Sequence, residues 1–486
     1  MSDRLPGAAS FRDPAGSLFR LEDRILRVVN PAGQADLEAF LKSARGRKAV
    51  ESGRVVSSRR LNAAETESLR DYPALGSLFE ERGGQIIVEH ERIAFPSFPY
   101  EWPAEMLHAA GALTLELAQE LLNDGIGLKD GTPYNVLFRG PNPVFIDVLS
   151  FERRDPGDPT WLPYAQFVRT ILLPLAASKH FGLGLDQILA TRRDGLEPEE
   201  VYRWLGPLRR FRPPFLGLVT MPALLASRHD KDDTSIYEKK TLSDHEKARF
   251  ILDSLLSRLR RTLDRVAPLA GQSSTWSDYM GANNNYTREH FGAKQRFVEQ
   301  TVAELKPRSV LDVGCNTGHF SAIAARGGAS VVAADYDPVV LGEVWRNART
   351  EKLDILPLAV NLTRPSPGTG WRNQECPSFL DRARGAFDCV LMLAVIHHML
   401  VTERVPLADI LDLAAELTRD AVVVEFIAPD DSMFRRLTRG REELHKDLST
   451  DVFETAARRH FDIVRTQHLE GASRWLYLLR KRGQAV

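Results

Sequence analysis

The stretch from Arg308 to Pro338 constrains this chain more than any other. Ser309 to Val313 is a short, mostly apolar run that ends at a glycine, the pattern of a parallel strand buried on both faces. Gly314 and Gly318 flank a tight turn, and Phe320 to Arg326 reads as the start of a helix. Val331 to Ala334 reads as the next strand, with Asp335 at its carboxyl end, 21 residues beyond Gly314. A glycine at 314 lets a ligand approach bare backbone. A carboxylate at 335 can grip the two hydroxyls of a ribose. A Gly-x-Gly-x-x-Gly loop would need glycine where Asn316 and His319 stand, so the pattern argues against a dinucleotide.

At 486 residues the chain exceeds what one hydrophobic core fills, and two domains are expected. Lys and Arg total 64 against 65 Asp and Glu, so no global field draws nucleic acid or an anionic membrane, and neither is expected as a partner. Cys315, Cys376 and Cys389 form no C-x-x-C pair, which points to a reducing compartment rather than a disulfide framework or zinc site. The first 30 residues alternate charged and apolar positions and do not read as a signal peptide. The uncharged run Pro213 to Ser227 is too short to span a bilayer, so no transmembrane segment is expected and the protein is read as cytoplasmic.

Downstream of the opening stretch, strands and helices alternate. Arg288 to Leu305 reads as a helix leading into the first strand. Ile355 to Val360, Phe387 to Leu393 and Ala421 to Glu425 read as further strands. Phe461 to Thr466 and Trp475 to Leu479 close the series as an antiparallel pair turning at Gly471. Alternation of this kind fits one doubly wound sheet. The glycine turn, the acid at 335 and this order resemble class I S-adenosylmethionine-dependent methyltransferases, over residues 276 to 483. In that family the middle glycine of the turn is usual where Asn316 stands here. The resemblance implies S-adenosylmethionine as cofactor, held by Asp312, Gly314, Asn316, Gly318, Asp335, Asn361 and Leu393. Asn361 would reach the adenine amino group through its carbonyl. It also implies a lid before or within the first helix, with Tyr279, Tyr286 and Lys294 as candidates. His397 and His398 follow the fourth strand, whose carboxyl end would face the transferred methyl. Either could take a proton from a substrate hydroxyl near neutral pH, or the pair could be structural.

The front half reads differently. Leu18 to Asn30 and Ile86 to Phe95 each read as a hairpin, and Pro96, Pro99 and Pro103 hold an extended connection between them and a helix. Leu107, Ala110, Leu113, Leu117 and Leu121 recur at helical spacing, so Pro103 to Asn123 is an amphipathic helix stopped by Gly125 and Gly127. Val136 to Phe138 and Val144 to Ile146 then read as short strands holding Asp130, Asn135 and Asp147 near their ends. The spacing of these three resembles the catalytic segment of aminoglycoside-phosphotransferase-like kinases. There, Asp130 would orient a hydroxyl, and Asn135 and Asp147 would hold Mg²⁺ beside the phosphates of ATP. The sequence departs from that family in lacking its phosphate-contacting lysine strand, for which Arg27 is the available stand-in.

The expected architecture is therefore α/β: an α+β kinase-like domain over residues 1–270, then a doubly wound Rossmann-like methyltransferase sheet over 276–486. The whole chain also resembles a bacterial group containing nodulation-related methyltransferase-like proteins, through Pro99 to Trp102, Leu128 to Asp130, Tyr134-Asn135 and Ile396 to His398. The expected activity is O-methylation of a sugar-containing small molecule or glycan. Two alternatives stand beside it: a kinase and methyltransferase in one chain, and a methyltransferase with a non-catalytic recognition module.

Overall fold

The structure, a computed structural model, describes residues 8–10, 13–70, 72, 86–226, 241–269, 271 and 287–483. In the front half β1 (Ala8–Ser10), β2 (Gly16–Leu21), β3 (Arg24–Val29), β4 (Ser58–Arg60) and β5 (Ile86–His90) form an antiparallel sheet ordered β1-β2-β3-β5-β4. The hairpin between β2 and β3 turns where its sequence suggests, with Glu22 at φ +52. Residues 92–95, expected to pair back onto 86–89, are not a strand. Both edges of β5 are already taken, by β3 and β4, so the chain leaves the sheet. It carries Phe95 away to pack on Phe379 and Phe387 of the back half. The connection expected to be extended tightens into one 3₁₀ turn, Pro99–Glu101, because proline's fixed φ suits a first helical turn.

The helix Ala104–Leu121 follows, and Gly125 at φ +70 supplies the left-handed residue after it. β6 (Ile126–Leu128) pairs with β9 (Phe151–Arg153), and β7 (Val136–Arg139) with β8 (Asn142–Phe145). A helix begins at Tyr164 and passes through a π turn, Val168–Leu172, just before Pro174. Proline has no N–H to close an ordinary helical turn, so a wider one precedes it. Gly271 apart, the expected boundary between residues 270 and 276 lies outside the described residues.

In the back half β10 (Ser309–Val313), β11 (Ser330–Asp335), β12 (Ile355–Ala359), β13 (Phe387–Met392), β14 (Thr418–Ile427), β15 (Phe461–His468) and β16 (Arg474–Lys481) make one sheet. Its order is β12-β11-β10-β13-β14-β16-β15, parallel through β14 and antiparallel at β16 and β15. Alternate residues serve two different cores. Val310, Cys389, Leu391 and Val423 point to one face, and Leu311, Val390, Met392 and Val424 to the other. Both faces are covered, which is why these strands read as mostly apolar runs.

The second of those cores does not stop at the back half. Phe40, Trp102 and Leu117 from the front belong to the same contiguous apolar cluster as Leu311, Val390 and Val424. Polar contacts reinforce the junction. Arg346 pairs with Glu105, and the Trp345 indole donates to the Pro141 carbonyl at 3.0 Å. Each fully buried Leu or Phe contributes roughly 1.5–3 kcal/mol by leaving water. The junction is thus held by the same force that holds each half.

Candidate active site

The glycine turn after β10 is built by backbone constraints. Gly314 sits at φ +69, and its N–H donates to the Ala334 carbonyl at 2.8 Å. A Cβ there would come within 3.3 Å of Val395. Asn316 takes the left-handed region too, at φ +49, and its side-chain oxygen accepts from Thr317 N at 2.7 Å. Its own N–H donates to Asp335 Oδ2 at 2.9 Å, while Asp335 Oδ1 accepts from Asp337 N at 3.0 Å. Asparagine is among the residues that tolerate this conformation, which explains how it stands where glycine is usual.

These residues open on a cavity of about 500 Å³ at the carboxyl ends of the parallel strands. Asp312, Gly314, Asn316, Asp335, Asn361 and Leu393 all line it. Gly318 does not: it lies behind the turn, where a Cβ would meet Val344 at 3.0 Å. The Asn361 carbonyl, expected to reach an adenine amino group, already accepts from Thr363 N at 3.0 Å and Thr363 Oγ1 at 2.6 Å. Its amide NH₂ is the group left for a ligand.

Burial dominates the electrostatics. It pushes the Asp312 carboxyl up to about 6, although Ser321 Oγ donates to Asp312 Oδ2 at 2.6 Å. It raises Asp335 as well, against the lowering effect of its backbone N–H donors. Lys294, only 4% exposed, reaches the cavity wall and sets Nζ 2.6 Å from Glu425 Oε2. Glu425 lies 3.7 Å from Arg474, whose Nε is 2.9 Å from Asp431 Oδ2. Alternating charges thus continue from the cavity wall into the interior, since ions this deep persist only when paired. Arg474 carried no signal in the sequence, where it reads as an ordinary strand-end arginine.

The two histidines part company. His398 lines the cavity beside Met399, and burial lowers its pKa, so its imidazole is neutral at pH 7. His397 is 2% exposed, lies outside the cavity wall, and among the described residues neither of its ring nitrogens has a hydrogen-bond partner. Ala394, between β13 and the helix Ile396–Val401, is held at φ +54 and also lines the cavity. An alanine in that region is strained, and such strain gathers at functional sites. Composition gives no hint of it. Of the expected lid residues, Tyr279 and Tyr286 lie outside the described residues.

In the front half Asp130, Asn135 and Asp147 do come together. Ser150 Oγ donates to Asp130 Oδ2 at 3.2 Å and lies 3.5 Å from Asn135 Nδ2. Burial, then the nearby Asp147, raises the Asp130 pKa. Asp147, however, faces a protein cation: Arg27 Nη1 lies 2.5 Å from its Oδ1 and 3.6 Å from Asp13. Arg27 is 7% exposed, so its guanidinium sits where a divalent ion would have to approach. Among the described residues no group of three His, Cys, Asp or Glu could hold a metal. As they stand, Asp147 is engaged by Arg27 and the Asn135 amide by Ser150.

The sheet and the glycine-turn cavity define a methyltransferase domain, and residues 286–475 match the family model described by that phrase. Along its whole length the chain is 31% identical, over 479 residues, to nodulation protein NoeA of Rhizobium meliloti (strain 1021). The match covers 98% of this chain and 96% of that protein, and the chain belongs to the NoeA family. Among solved structures, the N-methyltransferase NodS from Bradyrhizobium japonicum WM9, bound to S-adenosyl-L-homocysteine, is 14% identical. It covers 44% of this chain and 94% of its own at a TM-score of 0.32. The bifunctional kinase-methyltransferase WbdD is 18% identical, covering 42% and 41% at a TM-score of 0.30. At such scores neither likeness carries weight. No helix among the described residues is long and apolar enough to cross a membrane.

Proposed function

We propose that the protein transfers a methyl group from S-adenosylmethionine to a hydroxyl of a sugar-containing metabolite or glycan. One observation carries this reading: His398, neutral at pH 7, lines the same cavity as Gly314, Asn316 and Asp335. Bound there, S-adenosylmethionine supplies an electrophilic methyl carbon on sulfur. Asp335 keeps acceptor capacity for the ribose hydroxyls beyond its backbone bonds, and the bare backbone of Gly314 admits the donor closely. His398 would accept the proton that the acceptor hydroxyl sheds as its oxygen takes the methyl carbon and the carbon–sulfur bond breaks, the donor leaving as a neutral thioether. Holding both reactants in line is worth on the order of 7–11 kcal/mol of the barrier.

His398→Ala tests the assignment, with methyl transfer to a glycan panel followed by mass spectrometry. Loss of a general base lowers kcat by roughly 10²–10⁴-fold, with S-adenosylmethionine binding intact. An unchanged kcat would mean an acceptor that is already anionic, a phosphate or a carboxylate, and would end the hydroxyl reading. Asp335→Ala should weaken donor binding by roughly 10- to 100-fold, the worth of hydrogen bonds to a charged group.

In the same reading residues 1–270 are a kinase-like domain that recognises substrate without catalysis, and residues 276–486 carry the chemistry. The Arg27–Asp147 pair favours this over a chain that also phosphorylates. Mg²⁺ with ATP should leave the melting temperature of the protein unchanged. Mg²⁺-dependent ATP turnover that Asp147→Ala abolishes would restore the bifunctional alternative.

A further inference from the structure

The loop leaving β12 has two duties. Its first residues, Val360 to Arg364, form part of the cavity wall. Its remainder is fastened to the front half. Glu101 Oε1 accepts hydrogen bonds from Ser366 Oγ and from the Arg382 guanidinium, both far away in sequence. Glu101 is 0% exposed and the Arg382 side chain 6%. Arg382 also donates to the Pro96 carbonyl at 2.6 Å and stands 4.9 Å from the centre of the Phe98 ring and 5.3 Å from that of Phe95. Thr369 and Cys376 exchange two backbone hydrogen bonds, of 2.9 and 3.2 Å, that close the loop on itself. The Ser366 carbonyl accepts from Phe379 N at 3.0 Å.

A carboxylate with no access to water holds its position because every alternative leaves it or its guanidinium partner unpaired. Glu101 is therefore a fixed point. The loop hangs from it at Ser366, two residues beyond Arg364 of the cavity wall, and at Arg382 further on. Asn361 and Thr363, whose hydrogen bonds shape the wall, lie between that tether and the end of β12, where Val360 N donates to the Asp335 carbonyl at 2.8 Å.

We infer that Glu101, a residue of the front half, is a positioning residue for the methyl-donor cavity of the back half. It acts through Ser366 and Arg382 on residues 360–364, and never touches the ligand. The inference rests on the reading of this cavity as the S-adenosylmethionine site.

The test titrates S-adenosylhomocysteine calorimetrically into the full-length protein and three variants. Glu101→Gln should weaken binding on the order of 5- to 150-fold, the range of ordinary coupling between sites. Ser366→Ala, which removes only a hydroxyl and keeps the buried ion pair, should weaken it by a smaller factor and serves if Glu101→Gln does not fold. Arg346→Met breaks another ion pair across the junction, on a helix rather than on the loop. It should lower the melting temperature and leave the affinity alone. Wild-type affinity in both Glu101→Gln and Ser366→Ala would overturn the inference. So would an Arg346→Met variant as weak as Glu101→Gln, since general loosening would then suffice. A wild-type protein that does not bind S-adenosylhomocysteine overturns the cavity reading itself, and the inference with it.

Discussion

Asp312 and His398 line one cavity, and burial favours the uncharged form of both. For Asp312 the folded value, about 6, lies above the ordinary 3.8, so the native state keeps its proton longer than the unfolded chain. Stability therefore falls as pH rises from about 4 to about 6, the cost of ionising a buried acid. A cationic donor has the opposite preference and favours the carboxylate. Affinity for S-adenosylmethionine should thus weaken as pH drops through about 6, with a proton released on binding at acid pH. Calorimetry in two buffers of different ionisation enthalpy measures that proton, and pH-independent binding would contradict it. His398 works the other way: its pKa is depressed, so the methyl-transfer rate should persist to pH values below the ordinary histidine range before protonation stops it. A pH–rate profile that falls already above pH 6.5 would exclude His398 as the base. Of the site, the residues legible in the sequence were those whose chemistry is local, Gly314 and Asp335 above all. The Lys294, Glu425, Arg474 and Asp431 array was not, because each member lies on a different element and only the fold brings them into contact.

Elements were easiest to read where burial is symmetric. The interiors of β10, β13 and β14 are apolar except at Asp312, Asp388, Arg419, Asp420 and Glu425, because one set of residues meets each core. Truncation inside such a strand leaves a hole that neither layer can fill. Leu311→Ala should cost about 2–5 kcal/mol in denaturant-induced unfolding, with the sheet topology unchanged. A cost well under 1 kcal/mol would mean that the neighbouring layers collapse into the space. Where sequence patterns misled, a partner decided the outcome. Residues 92–95 have strand-like composition, but β5 has no free edge, and Phe95 is worth more against Phe379 and Phe387. The left-handed Ala394 is likewise invisible to periodicity, since one residue's φ leaves the apolar spacing around it unchanged, and the π turn before Pro174 shifts that spacing by only one residue.

For the molecule as a whole the decisive feature is the apolar cluster that runs from Phe40 and Trp102 to Leu311 and Val424. Composition predicts two domains, and a sequence reading treats them as separable. A shared interior couples their unfolding, so scanning calorimetry should record one transition, and S-adenosylhomocysteine should raise all of it. Two resolved peaks, of which only one responds to the ligand, would count against the coupling. Such sharing has a price in evolutionary freedom. A front half borrowed from a distant relative would have to present its own acid and its own row of phenyl rings in register with the recipient. Chimeras should consequently work only when matched pairs travel together, and substitutions on either side of the seam should accumulate in step.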